Sequence, residues 1–325
     1  MKTASLLRPI LFAFFLLFSS AAQWARAETA PRFLMSWGQE QSDWGRFKEP
    51  FDIAVGPKGY LYVTDARQQK VFKFDTEGQF ITQWGNAGRF EKPAGITVSR
   101  DGKVYVSDYD NDRILKFTSD GTFIKAWGRS GEGSGEFDSP SGLAVDAAGD
   151  VYVTDLYNHR VQKFTSDGTF LLSWGKEGKV NTVRSALNFL MDEGKESFFY
   201  YPARLAVSPD GEVYLSDSYN NRVQVFDQNG QFLRKWGGMG FWGGRFRVVS
   251  GIAFGPKAQV YVADFYNHRV QVFDAAGKYL KQWGEQGDEQ GQFDGPTALA
   301  VDQAGDIYVV DWTNRRIQKF SGDQK

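Results

Sequence analysis

The 325-residue sequence contains no cysteine and only two histidines. The first absence removes disulfides, thiolate metal sites and cysteine nucleophiles from consideration. The second leaves little material for imidazole chemistry. An excess of either charge is also missing, since 38 Lys and Arg face 39 Asp and Glu. Binding a polyanion draws on clustered basic residues, so this balance argues against a nucleic-acid partner. The one apolar run near the start is too short for a comfortable membrane span, and no second run is long enough to cross a bilayer.

That short run reads as a leader. Lys2 and Arg8 precede the apolar segment Ile10–Phe18, and Ala25-Arg26-Ala27 supplies a small-residue cleavage site. The expected division is a signal peptide over 1–27 and a mature domain over 28–325. Cleavage would remove three basic residues and no acid, leaving 35 basic against 39 acidic. No cysteine follows the cleavage site, so no lipid anchor is expected there. An exported protein without disulfides suits a bacterial periplasm or secretion route, and a monomer is expected.

What the chain has in abundance is repetition. The phrase Val-Tyr-Val-x-Asp recurs with its Asp at Asp65, Asp108, Asp155, Asp217, Asp264 and Asp311, spaced by 43, 47, 62, 47 and 47 residues. Five residues after each Asp comes Lys70, Arg113, Arg160, Arg222, Arg269 or Arg316. Trp-Gly pairs begin in step at Trp37, Trp84, Trp127, Trp174, Trp236 and Trp283. In the third copy, 142–145, 151–155, 160–164 and 170–174 read as four short strands separated by Gly and Asp turns. A period of this length with four strands per copy predicts an all-β propeller of six four-stranded antiparallel blades. The last copy lacks its outer strand, and Phe33–Trp37 at the other terminus matches the missing piece. Pairing the two ends would close the ring and leave no open sheet edge.

The run Asn158-His159-Arg160-Val161-Gln162-Lys163-Phe164, repeated from Asn267 to Phe273, resembles the NHL repeat. The resemblance extends over all six copies and implies a six-bladed propeller. It implies much less about activity, because the family includes RNA-binding domains, interaction modules and a lyase. The related amidating lyase would need several histidines where the inner strands meet the channel, and lactonase types would need Asn, Asp and Glu there. The matching positions in this sequence are Phe51, Ala94, Ser141, Ala203, Ser250 and Thr297, none of them a carboxylate or imidazole. Glu49 resembles the lactonase glutamate but has no partners. No catalytic residue, metal ligand or cofactor site is therefore assigned.

Residues present in every copy read as architecture. Six Asp–Arg pairs cannot all be the acid of one active site, so they read as hairpin joints. The six repeated Trp read as packing between blades, and the repeated Phe47, Phe90, Phe137, Phe246 and Phe293 as plugs. His159 and His268 share one repeat position with Gln69, Asp112, Asn221 and Arg315, which reads as an exposed loop end.

Function should lie where copies differ. At the start of the inner strand Gly95, Gly142, Gly251 and Ala298 are small, whereas Asp52 and Arg204 are charged. Three blades separate these two, which places them on opposite sides of a channel mouth, able to orient a small polar or zwitterionic ligand. The connection after Gly175 holds 26 residues before Pro202, against 11 in most copies, and its 181–194 stretch reads as a short helix within an insertion over 176–201. The same face carries Tyr109, Tyr157, Tyr219, Phe265, Tyr266 and Trp312 in short loops, an aromatic surface for a ligand or protein partner. The expectation is an exported, non-catalytic binding or scaffold propeller. The alternative is a metal-assisted lyase-like or lactonase-like enzyme with its site in the channel.

Overall fold

Valine, tyrosine and phenylalanine alternate through short segments cut by Gly and Asp turns, a pattern that builds hairpins and leaves no helical period. In the computed structural model, which describes residues 30–85, 88–180 and 195–322, these segments form six four-stranded antiparallel sheets. The leader over 1–27 and the helix expected within 181–194 lie outside the described residues. Blade 3 is representative, with strands Pro140–Val145, Val151–Asp155, Arg160–Phe164 and Phe170–Trp174 in order from channel to rim. Each sequence-derived strand is present, and the inner one starts two residues earlier than its apolar run.

The ring closes as the repeat count requires. Blade 6 takes Pro296–Val301, Ile307–Asp311 and Arg316–Phe320 from the C-terminal end and Phe33–Trp37 from the N-terminal end. The closing pair is antiparallel, with Trp37 opposite Ile317 and Phe33 opposite Phe320. The Ser321 N–H donates to the Arg32 carbonyl at 2.8 Å, and the Phe33 and Phe320 rings meet edge to face at 5.9 Å. Each of the six blades thereby has its four strands.

The repeated Trp wedge between blades. Trp84 lies edge-on to Tyr62 of its own blade at 6.1 Å and against Phe117 of the next at 6.0 Å. Its ring also rests on the turn glycine Gly121, where an added Cβ would come within 2.4 Å of the indole. Gly85, just after it, takes a left-handed φ of 97°, and a Cβ there would strike Phe90 at 2.8 Å. The plug role read for the repeated Phe holds, and Phe199 joins them as the blade 4 member, fully buried.

The Asp–Arg phrase is a joint that gathers four segments. In blade 3, Asp155 accepts from Arg160 Nε at 2.7 Å, Gln162 Nε2 at 3.0 Å and Asn158 Nδ2 at 3.0 Å, and from the Asp138 N–H at 2.8 Å. Arg160 forks onward to the carbonyls of Glu132, Gly133 and Glu136 at 2.6–2.9 Å. Together they pin the connector from the previous blade onto strands two and three. Blades 2, 4, 5 and 6 repeat the pair at 2.7–3.0 Å. In blade 1 Gln68 takes the place of Asn, and Lys70 turns to Gln83 Oε1 at 3.3 Å.

If closure depends on the N-terminal strand, deleting Arg32–Gly38 strands blade 6 with an open edge. The midpoint of thermal unfolding should then fall by more than about 10 °C, because a strand's burial and ladder bonds are lost together. An unshifted calorimetric transition would contradict closure.

Candidate functional site

In each blade the inner strand starts, and the loop between strands two and three turns, on the same face. On that face a funnel of about 490 Å³ opens into the ring. Its wall is one-sided. Tyr109, Tyr157 and Tyr219 come from the short loops of blades 2, 3 and 4, and Tyr201 comes from the connector entering blade 4. The Tyr157 and Tyr201 rings sit 5.5 Å apart, Tyr201 and Tyr219 5.4 Å, and Tyr200 and Tyr201 4.5 Å. Burial, and then the neighbouring Tyr157 hydroxyl, push the Tyr109 phenol upward. Burial followed by the phenols of Tyr266, Tyr157 and Tyr200 does the same at Tyr219. The Lys92 ammonium lies 4.7 Å from the Tyr109 ring centre.

Arg204 forms the floor. Its guanidinium crosses the channel from blade 4 to blade 1, where Nε approaches Asp52 Oδ2 at 3.4 Å and the group lies 4.8 Å from the Phe51 ring centre. Nη1 donates to Ser141 Oγ at 2.8 Å, and Nη2 to the Phe51 carbonyl at 3.3 Å. Asp52 is anchored in turn by the Ile53 N–H at 2.8 Å and the Ile96 N–H at 3.1 Å. Burial pushes the Asp52 carboxyl above its ordinary range, and Arg204 and these two N–H groups pull against that shift. The two charges expected on opposite sides of the mouth thus meet as a pair, both side chains buried. Below them lies a second chamber of about 270 Å³, walled by the inner strands down to Val55, Val145, Val207 and Val301.

The siblings at these two positions are small for a steric reason. A Cβ on Gly95 would fall 2.0 Å from the Ser141 carbonyl, and one on Gly251 would fall 2.7 Å from Ala298 Cα. Adjacent inner strands approach too closely there for side chains, so a charged residue in two copies is a departure from that packing.

Two buried polar atoms at the site lack hydrogen-bond partners: Arg204 Nε, whose contact with Asp52 is electrostatic, and Thr297 Oγ1 on the funnel wall. Among the lining residues there is no Asp, Glu or His apart from Asp52 beneath the floor. Among the described residues no group of three or more His, Asp or Glu side chains converges as a metal site.

Of the eight candidate residues, Arg204, Tyr109, Tyr157 and Tyr219 line the funnel, with Asp52 under it. Phe265, Tyr266 and Trp312 do not line it. They form a separate stack over blades 5 and 6, with Phe265 4.8 Å from Tyr266 and 6.1 Å from Trp312. Sequence reasoning passed over Tyr201 as a lining residue, although the aromatic run Phe198–Tyr201 was visible. The signal lies in comparing copies: Glu49, Lys92, Ser139, Val248 and Gly295 occupy its position elsewhere.

His159 corrects an expectation. It is 8% exposed and not at an open loop end. Gln69, Asp112, His159, Asn221, His268 and Arg315 all adopt left-handed backbone, φ 50–56°, which Asn, Asp and His tolerate best. Five of them reach into the next blade: Asp112, His159, Asn221 and His268 accept the N–H of Ser139, Tyr201, Val248 and Gly295 at 2.7–3.2 Å, and Gln69 Nε2 donates to the Glu91 carbonyl at 3.0 Å. The position is a latch between blades, and at His159 it holds the funnel's Tyr201, with the imidazole stacked on Tyr200 at 5.8 Å.

Five matches to the NHL repeat model cover residues 90–117, 137–164, 199–226, 246–273 and 293–320. The chain belongs to the NHL-repeat family. Comparison with curated protein sequences finds no match. Among solved structures it is similar to a streptogramin B lyase, at 15% identity and TM-score 0.63, covering 89% of this chain and 97% of the lyase. It is similar to a catalytically inactive histidine-to-alanine variant of virginiamycin B lyase from Staphylococcus aureus with quinupristin, at 16% identity and TM-score 0.59, covering 88% and 87%. An auxiliary nutrient binding protein from Bacteroides ovatus matches at 15% and 0.63, covering 87% of this chain and 71% of that one. Identities this low show the fold alone.

Burial holds the His159 imidazole below its ordinary value of 6.5. A depressed histidine contributes stability that is present above pH 6.5 and is lost as pH falls through the folded value. Protonation also turns Nδ1 from acceptor to donor and breaks the Tyr201 latch. The urea midpoint should therefore drop between about pH 7 and pH 5 more in the wild type than in His159→Asn, which keeps an acceptor without a titration. Parallel pH profiles would contradict this reading of His159.

Proposed function

We propose that this protein is a non-catalytic binding propeller whose ligand site is the tyrosine-walled funnel floored by Arg204. The observation that carries the reading is the composition of that cavity. It has an apolar aromatic wall and a few fixed polar groups, and its volume of about 490 Å³ is that of a small-molecule site. The wall offers phenol rings for stacking and hydroxyls for hydrogen bonds. The floor offers a guanidinium whose charge is only partly answered by Asp52, with Thr297 Oγ1 beside it lacking a partner. A small polar ligand with one flat or apolar face and an acceptor or carboxylate end fits that distribution.

The lyase reading draws on the solved structures and on nothing in the cavity. An inactive histidine variant is known for virginiamycin B lyase, whereas neither histidine of this chain lines the funnel. The leader-like first 27 residues support an exported place of work. Among the described residues no helix is long and apolar enough to cross a membrane.

A panel of sugars, amino acids, dipeptides and small carboxylates, read by thermal shift and then calorimetry, tests the proposal. A ligand present at about a hundred times its Kd should add about 2.7 kcal/mol of stability. Tyr219→Ala or Arg204→Ala should weaken its binding by about tenfold or more. A ligand indifferent to both substitutions, or stoichiometric zinc or calcium in the purified protein, would overturn the proposal in favour of another site or of metal-assisted chemistry.

A further inference from the structure

The connector between blades 4 and 5 departs from its siblings in a way unrelated to the funnel. Its tip reads Gly238-Met239-Gly240-Phe241-Trp242-Gly243-Gly244. At the positions of Met239, Phe241 and Trp242 the connector into blade 3 has Ser130, Glu132 and Gly133, and the connector into blade 6 has Gln286, Asp288 and Glu289. Positions that carry no large apolar side chain in those siblings have become the largest exposed apolar cluster among the described residues of the connectors. Met239 is 59% exposed, Phe241 73% and Trp242 44%, with the two rings edge to face at 4.9 Å.

The backbone beneath these side chains is held as firmly as in the siblings. Arg269 donates to the Phe241 and Trp242 carbonyls at 2.7 and 3.0 Å, Asn267 to the Gly240 carbonyl at 2.9 Å, and Gln271 accepts the Gly244 N–H at 2.8 Å. The blade 5 joint fixes the loop, so the apolar side chains stand in water on a rigid base. Exposure of this kind is costly unless something covers it.

The charge around the loop indicates what covers it. From Gln228 to Ala263 the chain has no Asp or Glu but five basic residues, in a protein that carries 39 acids in all. Arg234 of these is answered by Glu212, and Lys235 is engaged as well. Arg245 and Arg247 follow the tip; the Arg245 guanidinium folds back to donate to the Gly237 carbonyl, whereas Arg247 is exposed with no ion-pair partner among the described residues. Exposed Trp and Phe beside arginines is the composition of a loop that enters the headgroup region of an anionic bilayer. Three adjacent side chains are also too little for a stable protein interface, which buries about 800 Å² per partner, while a loop tip needs no matching surface to enter lipid.

We infer that the Met239–Trp242 loop is a peripheral anchor that docks the propeller on an anionic phospholipid surface. Insertion places Phe241 and Trp242 among the acyl chains' upper segments and leaves the exposed Arg247 at the phosphates. The anchor supplies reversible attachment, because two aromatics and a few charges fall well short of a spanning helix. It is independent of the funnel and stands whether or not that cavity binds a ligand.

The test uses protein beginning at Glu28, which keeps every described residue and removes the apolar Ile10–Phe18 run from the lipid measurement. Co-sedimentation with phosphatidylethanolamine–phosphatidylglycerol vesicles is compared with phosphatidylcholine vesicles. Binding should favour the anionic vesicles and weaken as salt rises from about 0.1 to 1 M, where the Debye length falls from about 10 to 3 Å. The sibling-like triple variant Met239→Ser, Phe241→Glu, Trp242→Gly should lose about tenfold or more in partition coefficient, the scale of one buried aromatic. Its thermal midpoint reports that it has folded. Trp242→Phe, a milder change, should keep binding and remove the part of the tryptophan emission that brominated lipid quenches. Failure of the wild type to sediment with anionic vesicles, or equal sedimentation of the folded triple variant, overturns the anchor and leaves the loop to a protein partner.

Discussion

The structure depends on one buried ion pair used again and again. Each Asp at the end of a second strand stands at zero exposure and would be expensive to bury alone. In blades 3 to 6 its Arg, Asn and Gln partners, and the connector N–H it accepts, make the burial tolerable and tie four segments together at one point, as at Asp217. Blade 2 has Leu115 in place of the Gln, and in blade 1 Asp65 relies on Gln68 and connector N–H groups. Burial pushes the Asp155, Asp217, Asp264 and Asp311 carboxyls up, and hydrogen bonds and the neighbouring guanidinium oppose the shift. Such a joint adds more order than net stability. It fixes where each connector lies, and with it the position of every side chain on the funnel face.

Geometry at that face follows from the joints. Tyr200 and Tyr201 are placed because Asp217 accepts the Tyr200 N–H at 2.7 Å and His159 accepts the Tyr201 N–H at 3.2 Å. The long connection into blade 4 leaves both anchor points in their usual register: Lys176–Glu177 pairs in parallel with Phe198–Phe199, as Ser130 pairs with Phe137 and Gln286 with Phe293. In sequence, the extra residues of this connection fall between these two paired segments.

The fold was legible in the sequence because repetition reports itself: six Asp phrases and six Trp-Gly pairs leave little choice of architecture, and the incomplete last copy points to its own closing strand. The site was legible only in part. Asp52 and Arg204 stood out as breaks in a row of small residues, but a repeat count shows only that they face each other, while the length of an arginine side chain decides that they touch. Phe265, Tyr266 and Trp312 share a loop position with the funnel tyrosines yet stack among themselves, since Gly295 leaves room for Phe265 to turn inward. Trp242 was visible as a tryptophan outside the repeated set, and its exposure follows from loop geometry that composition does not report. His159 looked like a tolerant surface position because Gln, Asp, Asn, His and Arg share it; the common cause is a left-handed turn.

The central claim is that residues common to all copies build the ring, and that the exceptions are free to serve a ligand. Thermal unfolding of two variants separates the classes most directly. Asp217→Ala leaves the Arg222 charge buried without its carboxylate and should cost about 3–5 kcal/mol. The double variant Asp52→Ala, Arg204→Ala, which restores the small residue of blade 6, should unfold within about 1 kcal/mol of the wild type, because it leaves no charge buried without its partner and the sibling strands pack with Gly or Ala at this position. A double variant as unstable as Asp217→Ala would make the channel pair another joint of the ring and contradict the account.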